Sequence, residues 1–416
     1  GQTLTLHIEK PAAGGAMIAR ADGQVVLVSG AIPGERVVAR ITRVGKGVAH
    51  ADTVTVDEPS PDRVAALDAR CGGCRYAHIA YERQREIKAL VIADAFARIG
   101  RAPLTTPVAV APSPVQGYRM RARLHRRGGR LGFFREGTHE LCDARQTGQL
   151  RPAACDILDR LGDELARLRA DEISEVEMAE NVEGAELVVH LHTAHGSPQM
   201  RDTPSSLGGV TGVTISAPPG GCRILSGRAH VTDRVDLGAG DVIAVRRHVL
   251  AFFQGNRFLL RDLVAHVVEQ IPAASSVIDL YAGGGLFALA AAGACRARVT
   301  AVEGDRVAAE DLVANAVSVG GVIAALHQPV EEFVRSAAPG ADVVIVDPPR
   351  TGMSRDALDG VVRLGPRRLV YVSCDVATLA RDARRFIDGG YQIANVRAFD
   401  LFPNTPHVET VGVFEK

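Results

Sequence analysis

No stretch of this sequence is apolar over the roughly 18 residues that a membrane span needs, and its first residues run straight into alternating apolar and polar positions, unlike a signal peptide. A cytoplasmic protein is expected. Net charge is missing too: 48 Lys and Arg balance 48 Asp and Glu, so no global field advertises a nucleic-acid partner and any basic footprint must be local. There is no repeat of fixed period and no low-complexity tract. The seven cysteines (Cys71, Cys74, Cys142, Cys155, Cys222, Cys295 and Cys374) are odd in number and scattered apart from one close pair. In an intracellular chain that pattern predicts catalytic, metal-binding or buried thiols instead of a disulfide frame.

What is present is a chain of 416 residues with 46% apolar and 23% charged residues, which describes a globular protein of two or three domains. Residues 1–57 alternate in the strand manner, with turns at Asp22-Gly23 and Pro33-Gly34, and predict a small β-barrel. Residues 58–245 predict a central α+β domain. Within it, Ile87, Leu90, Val91, Ala95 and Ile99 place an amphipathic helix over Tyr81–Ile99, and a second helix is expected over Pro152–Leu168. The segment at about 80–107 is a candidate to pack on the next domain. Residues 246–416 alternate buried-type strands with Ala-rich helices, as in Ser276–Leu280, Val299–Glu303, Asp342–Val346 and Leu369–Ser373. Such runs predict a mostly parallel, doubly wound α/β sheet with its ligands at the carboxyl ends of the strands.

The chemistry-bearing residues lie at those ends. Asp279-Leu-Tyr-Ala-Gly-Gly-Gly285 closes one strand and opens a helix, where glycines let backbone amides approach a nucleotide-like cofactor. Gly283, Gly285 and Ala288 also satisfy the dinucleotide pattern, so this stretch does not separate NAD from S-adenosylmethionine. Glu303 ends the following strand, where a carboxylate can accept from both ribose hydroxyls. Asp347-Pro-Pro-Arg350 is different: two prolines stiffen the turn and aim Asp347 over the sheet end, as in base-modifying methyltransferases. Cys374 follows a further buried strand, and Glu409 lies near the last one. In isolation the cysteine reads as a small hydrophobe and the glutamate as an exposed charge.

Four motifs, Asp279–Gly285, Asp347–Gly352, Tyr371–Cys374 with Ala377–Asp382 after it, and Phe402-Pro-Asn-Thr-Pro-His-Val-Glu-Thr410, resemble in matching order the bacterial RNA 5-methyluridine methyltransferase family. Phe252-Phe-Gln-Gly-Asn256 resembles the opening of that family's catalytic domain, a class I, Rossmann-like methyltransferase sheet. Residues 1–57 resemble its TRAM RNA-binding barrel, notably at Gly34-Glu-Arg-Val37. The resemblance implies that Cys374 is a thiolate nucleophile toward carbon 6 of a uracil and Glu409 the base that removes the carbon 5 proton. It places Gln254 and Asp347 between cofactor and uracil, and Tyr281, Gly283, Gly285 and Glu303 on the S-adenosylmethionine side. Arg350 would stabilise the uracil oxygen, and Phe253 and Phe402 would cover an extruded base. For the RNA backbone, Arg119, Arg121, Arg123 and Arg126 alternate or follow along a predicted strand with no acidic residue between them. A monomer acting on RNA is expected, with 23S ribosomal RNA favoured over transfer RNA because of the TRAM-like barrel.

The sequence departs from the family in two places. Many members bind a [4Fe-4S] cluster through four cysteines, one of them six positions before the Cys71-Gly-Gly-Cys74 pair, where this chain has Ala65. The fourth ligand is expected near Gln146 or Thr147, so a cluster is not expected and Cys71 and Cys74 read as the remnant of an Fe-S site, kept as a structural turn. After the nucleophile, Asp375-Val376 replaces Asn-Pro, and an inward carboxylate there would raise the thiol pKa, so Asp375 is expected to point away. Four rivals remain: a transfer RNA enzyme of the same chemistry, an amino-group methyltransferase for which Asp-Pro-Pro would suffice, an RNA-binding or remodelling protein without catalysis, and an NAD enzyme, for which no hydride-handling site is found in the sequence.

Overall fold

The computed structural model describes all residues except 66–69, 194–206, 218–220, 239 and 320–321. Six strands open the chain: β1 (Thr3–His7), β2 (Lys10–Pro11), β3 (Met17–Ala21), β4 (Gln24–Ser29), β5 (Arg36–Gly45) and β6 (Val48–Glu58), in the order β1-β5-β6-β4-β3-β2. Alternation turns Leu6, Val26, Val28, Val37 and Ala39 into one core. Buried Glu35 sits beneath it and accepts from Arg63 Nε at 2.7 Å, which ties the following segment to the barrel.

Helix α1 (Tyr81–Arg98) forms where expected, but its buried stripe is rotated. Leu90 and Ile99 are exposed, and the inward residues are Gln84, Ile87, Lys88, Ile92, Ala95 and Phe96. Two polar side chains sit in that stripe because both find partners in the C-terminal part of the chain, an arrangement that apolar periodicity does not encode.

After the short strand β7 (Ala109–Ala111) come β8 (Arg121–Arg127), β9 (Arg130–Phe134), β10 (Leu141–Asp143), α2 (Pro152–Arg167), β11 (Ile173–Glu180), β12 (Leu187–Thr193), β13 (Gly212–Ala217) and β14 (Gly221–Gly227). Apart from β7 these strands make a seven-stranded sheet ordered β10-β9-β8-β11-β12-β13-β14. Leu158, Leu161 and Leu165 of α2 share a core with Val176, Met178, Val189 and Leu191 of that sheet. The hairpin β15 (His230–Gly238) and β16 (Asp241–His248) follows, and its Val235, Ile243 and Val245 pack into the core of the C-terminal layer.

That layer is built from α3 (Leu260–Val268), β17 (Ser276–Leu280), α4 (Leu286–Cys295), β18 (Arg298–Glu303), α5 (Arg306–Val317), β19 (Ile323–His327), α6 (Val330–Ser336), β20 (Val343–Val346), α7 (Arg355–Leu364), β21 (Arg368–Ser373), α8 (Val376–Asp388), β22 (Gln392–Phe399) and β23 (Glu409–Glu415). The eight strands run β19-β18-β17-β20-β21-β23-β22-β7, the first five parallel and β23 antiparallel between β21 and β22. Val343 and Ile345 face one core while Val344 and Val346 face the other, so both faces are covered, as their unbroken apolar run predicts. β7 completes the edge by pairing in parallel with β22.

Candidate active site

The turn after β17 is a backbone device. Tyr281, Gly283 and Gly285 have φ of 60°, 55° and 92°, and a Cβ on Gly285 would stand 2.8 Å from Leu312 Cδ1. Glu303, at the end of β18, accepts the N–H of Gly283 through Oε2 at 2.7 Å and that of Asp305 through Oε1 at 2.6 Å. From behind, the buried Asn315 amide donates to the Gly284 carbonyl and to the Arg246 carbonyl, both at 2.8 Å. The loop is therefore held from two sides before any ligand arrives. It borders a cleft of about 670 Å³, a size that suits a nucleoside cofactor together with one base.

At the far end of that cleft lie Asp347, Arg350, Cys374, Phe402 and Glu409. Gln254 Nε2 donates to Asp347 Oδ2 at 3.0 Å. Burial raises the Asp347 carboxyl to about 7, while the Gln254 hydrogen bond opposes the shift. Ser373 pairs with Thr410 across the antiparallel β21/β23 ladder, so Cys374 and Glu409, one step further along each strand, face the cleft together. Burial first, then the nearby Glu409, pushes the Cys374 thiol up to about 11, and the Arg350 guanidinium pulls against both. Burial and Asp347 hold the Glu409 carboxyl well above its ordinary range. The Asp375 side chain accepts the N–H of Thr378 at 2.9 Å as the N-cap of α8, so its carboxylate is engaged by the helix.

Residues 210–416 match the tRNA (Uracil-5-)-methyltransferase family model, and residues 1–54 match the TRAM domain. An uncharacterized RNA methyltransferase of Corynebacterium efficiens is 32% identical over 100% of this chain and 95% of its own length. The 23S rRNA (uracil(1939)-C(5))-methyltransferase RlmD of Pectobacterium atrosepticum is 30% identical over 99% of this chain and 94% of its own. The chain belongs to the RNA (uracil-5-)-methyltransferase family. Its fold is that of the Pyrococcus abyssi tRNA (uracil-54, C5)-methyltransferase crystallised with S-adenosyl-L-homocysteine, with a TM-score of 0.78 at 24% identity over 99% of this chain and 100% of that one.

As an S-adenosylmethionine-dependent RNA (uracil-5-)-methyltransferase, the protein needs room for a cationic cofactor, and its cleft fits one. Glu303, Asp347 and Glu409 line it, and Asp279 lies wholly buried beneath the glycine loop. Burial first and Asp347 second push the Asp279 carboxyl well up, a coupling that its place at the head of a glycine motif does not reveal.

Two further groups named from the sequence have surroundings in this methyltransferase that the sequence does not display. Phe252, Phe253 and Phe402 all line the cleft, Phe253 at 7% exposure under Arg247, whose guanidinium lies 4.5 Å from the ring centroid, and Phe252 at 62% exposure. Two adjacent phenylalanines give no sequence signal for which one is the more exposed. The arginines of β8, and Arg119 just before it, do not form an open basic stripe. Arg119 donates to Gln149 Oε1 at 2.6 Å, Arg126 donates to the Ala170 and Ile173 carbonyls, and Arg121, on the cleft wall, pairs with Glu177. Arg123, at 55% side-chain exposure, faces Glu175 and Glu177. The acids come from β11, the strand paired with β8, which no local run of sequence displays.

The cysteines also depart from expectation. Cys71 and Cys142 form a disulfide that joins the segment after the barrel to β10. A four-thiolate cluster does not fit this arrangement, since two of the sulfurs are bonded to each other and position 65 is alanine. Among the described residues, no group of three or more His, Cys, Asp and Glu side chains is placed to hold a metal ion.

Proposed function

We propose that this enzyme, a cytoplasmic monomer, methylates carbon 5 of a uridine in 23S ribosomal RNA through a covalent bond between Cys374 Sγ and carbon 6 of the base. The observation that carries the reading is the opposition of Cys374 and Glu409 on the ends of β21 and β23, in the same cleft as the Gly283–Glu303 cradle. The 23S choice rests on the RlmD relatives and on the TRAM domain.

Carbon 5 of uracil is a weak nucleophile until a sulfur adds at carbon 6 and leaves an enolate. Bound S-adenosylmethionine supplies the electrophilic methyl group. Cys374 forms the carbon 6 bond once its proton is lost, and Arg350, beside that sulfur, stabilises the oxygen on which the charge develops. Glu409 then takes the carbon 5 proton, and the carbon–sulfur bond breaks to release the methylated base. Burial raises the pKa of both Cys374 and Glu409, and the positive charge of the cofactor beside the cleft's carboxylates would favour the charged forms that the reaction uses. Gln254 and Asp347 orient cofactor against base, and Tyr281, Gly283, Gly285 and Glu303 hold the adenosine portion.

Incubation of the protein with cofactor and a 23S fragment carrying 5-fluorouridine tests the covalent step, because fluorine blocks the final proton removal. An adduct stable to denaturant is expected with the native chain and none with Cys374→Ala. Equal trapping by both proteins overturns the nucleophile, and loss of 5-methyluridine from transfer RNA instead of 23S RNA in a deletion strain overturns the substrate.

A further inference from the structure

The carboxylate assigned here to proton removal stands at the end of a loop, residues 400–408, that joins β22 to β23 and also carries Phe402. Much of what fixes this loop comes from more than 300 positions earlier in the chain. Lys88 Nζ donates to Asp400 Oδ1 at 2.5 Å and to the Phe402 carbonyl at 3.2 Å, across 312 and 314 residues. Gln84 and Asn404 bond reciprocally: Gln84 Nε2 donates to Asn404 Oδ1 and the Asn404 N–H donates to Gln84 Oε1, each at 2.9 Å. The same Gln84 amide nitrogen also donates to the carbonyls of Tyr76 and Ile79, and the Tyr76 N–H donates to the Asn404 carbonyl at 2.8 Å. Asn404 itself has φ of 63°, a left-handed turn conformation that asparagine adopts readily.

These contacts are costly ones. Gln84 and Lys88 are each 1% exposed and Asp400 is fully buried. An ion pair taken wholly out of water is often no more stable than an apolar pair of the same volume, whereas its geometry is directional in a way that apolar contact is not. A second hold comes from the barrel, where a Cβ on Gly15 would stand 2.7 Å from Pro406 Cγ. Cys374, by contrast, lies between β21 and the cap of α8; it borders a small cavity with Lys88, Pro406 and His407, but the hydrogen bonds of Gln84 and Lys88 to the C-terminal part of the chain end on the 400–408 loop and not on the Cys374 segment.

We propose that Gln84 and Lys88 are positioning residues for the proton-removal step: through the 400–408 loop, helix α1 sets the Glu409 carboxylate against the carbon 5 proton. This rests on the reading of Glu409 as the base. The clamp's hydrogen bonds end on that loop and not on the nucleophile, so loosening it is expected to spare sulfur addition and methyl transfer and to slow the last step, in which the carbon 5 proton goes to Glu409 and the carbon–sulfur bond breaks. The methylated RNA then stays joined to Cys374.

The test compares the native chain with Glu409→Gln, with Gln84→Ala, and with the double variant Lys88→Met, Asp400→Leu, which removes both charges together and leaves neither stranded. Gln84→Ala leaves no buried charge behind, so it reports on the clamp if the double variant does not fold. Under single turnover with uridine RNA and methyl-labelled cofactor, the clamp variants are expected to transfer the methyl group at the native rate. Release of free product should fall by about a hundredfold, with KM for RNA unchanged, and a labelled protein–RNA adduct should accumulate as it does for Glu409→Gln. If Glu409→Gln accumulates the adduct while the clamp variants release product normally, or lose methyl transfer and release to the same extent, the positioning proposal fails and the base assignment stands. If Glu409→Gln itself releases product at the native rate, the base assignment fails and the clamp falls with it.

Discussion

Gln254 and Asp347 are joined by a single hydrogen bond of 3.0 Å that links the chain after β16 to the rigid turn after β20, on the cleft wall. Because burial raises Asp347 to about 7, this carboxyl is neutral in mild acid and charged above neutrality. The charged form attracts the cofactor's sulfonium, so affinity for S-adenosylmethionine should strengthen between pH 6 and pH 8 and plateau above that range, estimated at roughly one unit either side of the midpoint. S-adenosylhomocysteine, which lacks that charge, should respond less. Gln254→Leu removes an interaction that favours the carboxylate and should move the midpoint upward. Calorimetric titration of both ligands across this range checks the expectation, and equal pH dependence for the two ligands would contradict it.

Cys374 should alkylate slowly at neutral pH. Its thiol lies near 11, well above the ordinary value, so the thiolate fraction and the rate of iodoacetamide labelling should rise roughly tenfold per pH unit from 7 to 9. Arg350→Ala removes the group that favours the thiolate and should lower the rate throughout. Peptide mapping separates this site from Cys222, the other free cysteine that is not fully buried among the described residues.

The two neighbouring phenylalanines should behave in opposite ways. Phe252, exposed on the cleft lip, is placed to stack on a nucleic-acid base, and Phe252→Ala should weaken RNA binding by about 1–3 kcal/mol without changing cofactor affinity. Phe253 is core, and Phe253→Ala should cost about 3–5 kcal/mol of stability, visible as a lower Tm. Filter binding and thermal melts distinguish these outcomes, and interchange of the two effects would reverse the assignment.

The Cys71–Cys142 disulfide closes a sequence separation of 71 residues, and loop-closure entropy puts its contribution at about 4 kcal/mol. Reduction, or Cys71→Ser, should therefore lower the melting temperature. An unchanged Tm in reductant, with both cysteines recovered as free thiols beforehand, would show that the bond is not formed in solution.

Much of the site could be read from the sequence because its residues follow buried strands in fixed order: Tyr281, Gly283 and Gly285 after β17, Glu303 at the end of β18, Asp347 after β20 and Cys374 after β21. Strand runs are local, and so are the turns that end them. What could not be read depends on pairing between distant segments. Glu175 and Glu177 oppose the arginines of β8 because of strand order, Cys142 meets Cys71 across the central sheet edge, and Lys88 is buried because Asp400 is there. Such partners leave no period in the chain. The choice between Phe252 and Phe253 turns on Arg247, which sits in a different element.

The reversed direction of β23 has a consequence for how the gene can vary. Side chains alternate sides along a strand, so a one-residue insertion or deletion within β21 or β23 would swing either the sulfur or the carboxylate to the opposite face of the sheet. Length changes in functional descendants of this chain should therefore collect in the surface loops and spare these two adjoining strands, whose hydrogen-bonded rungs act as the ruler between acid and thiol.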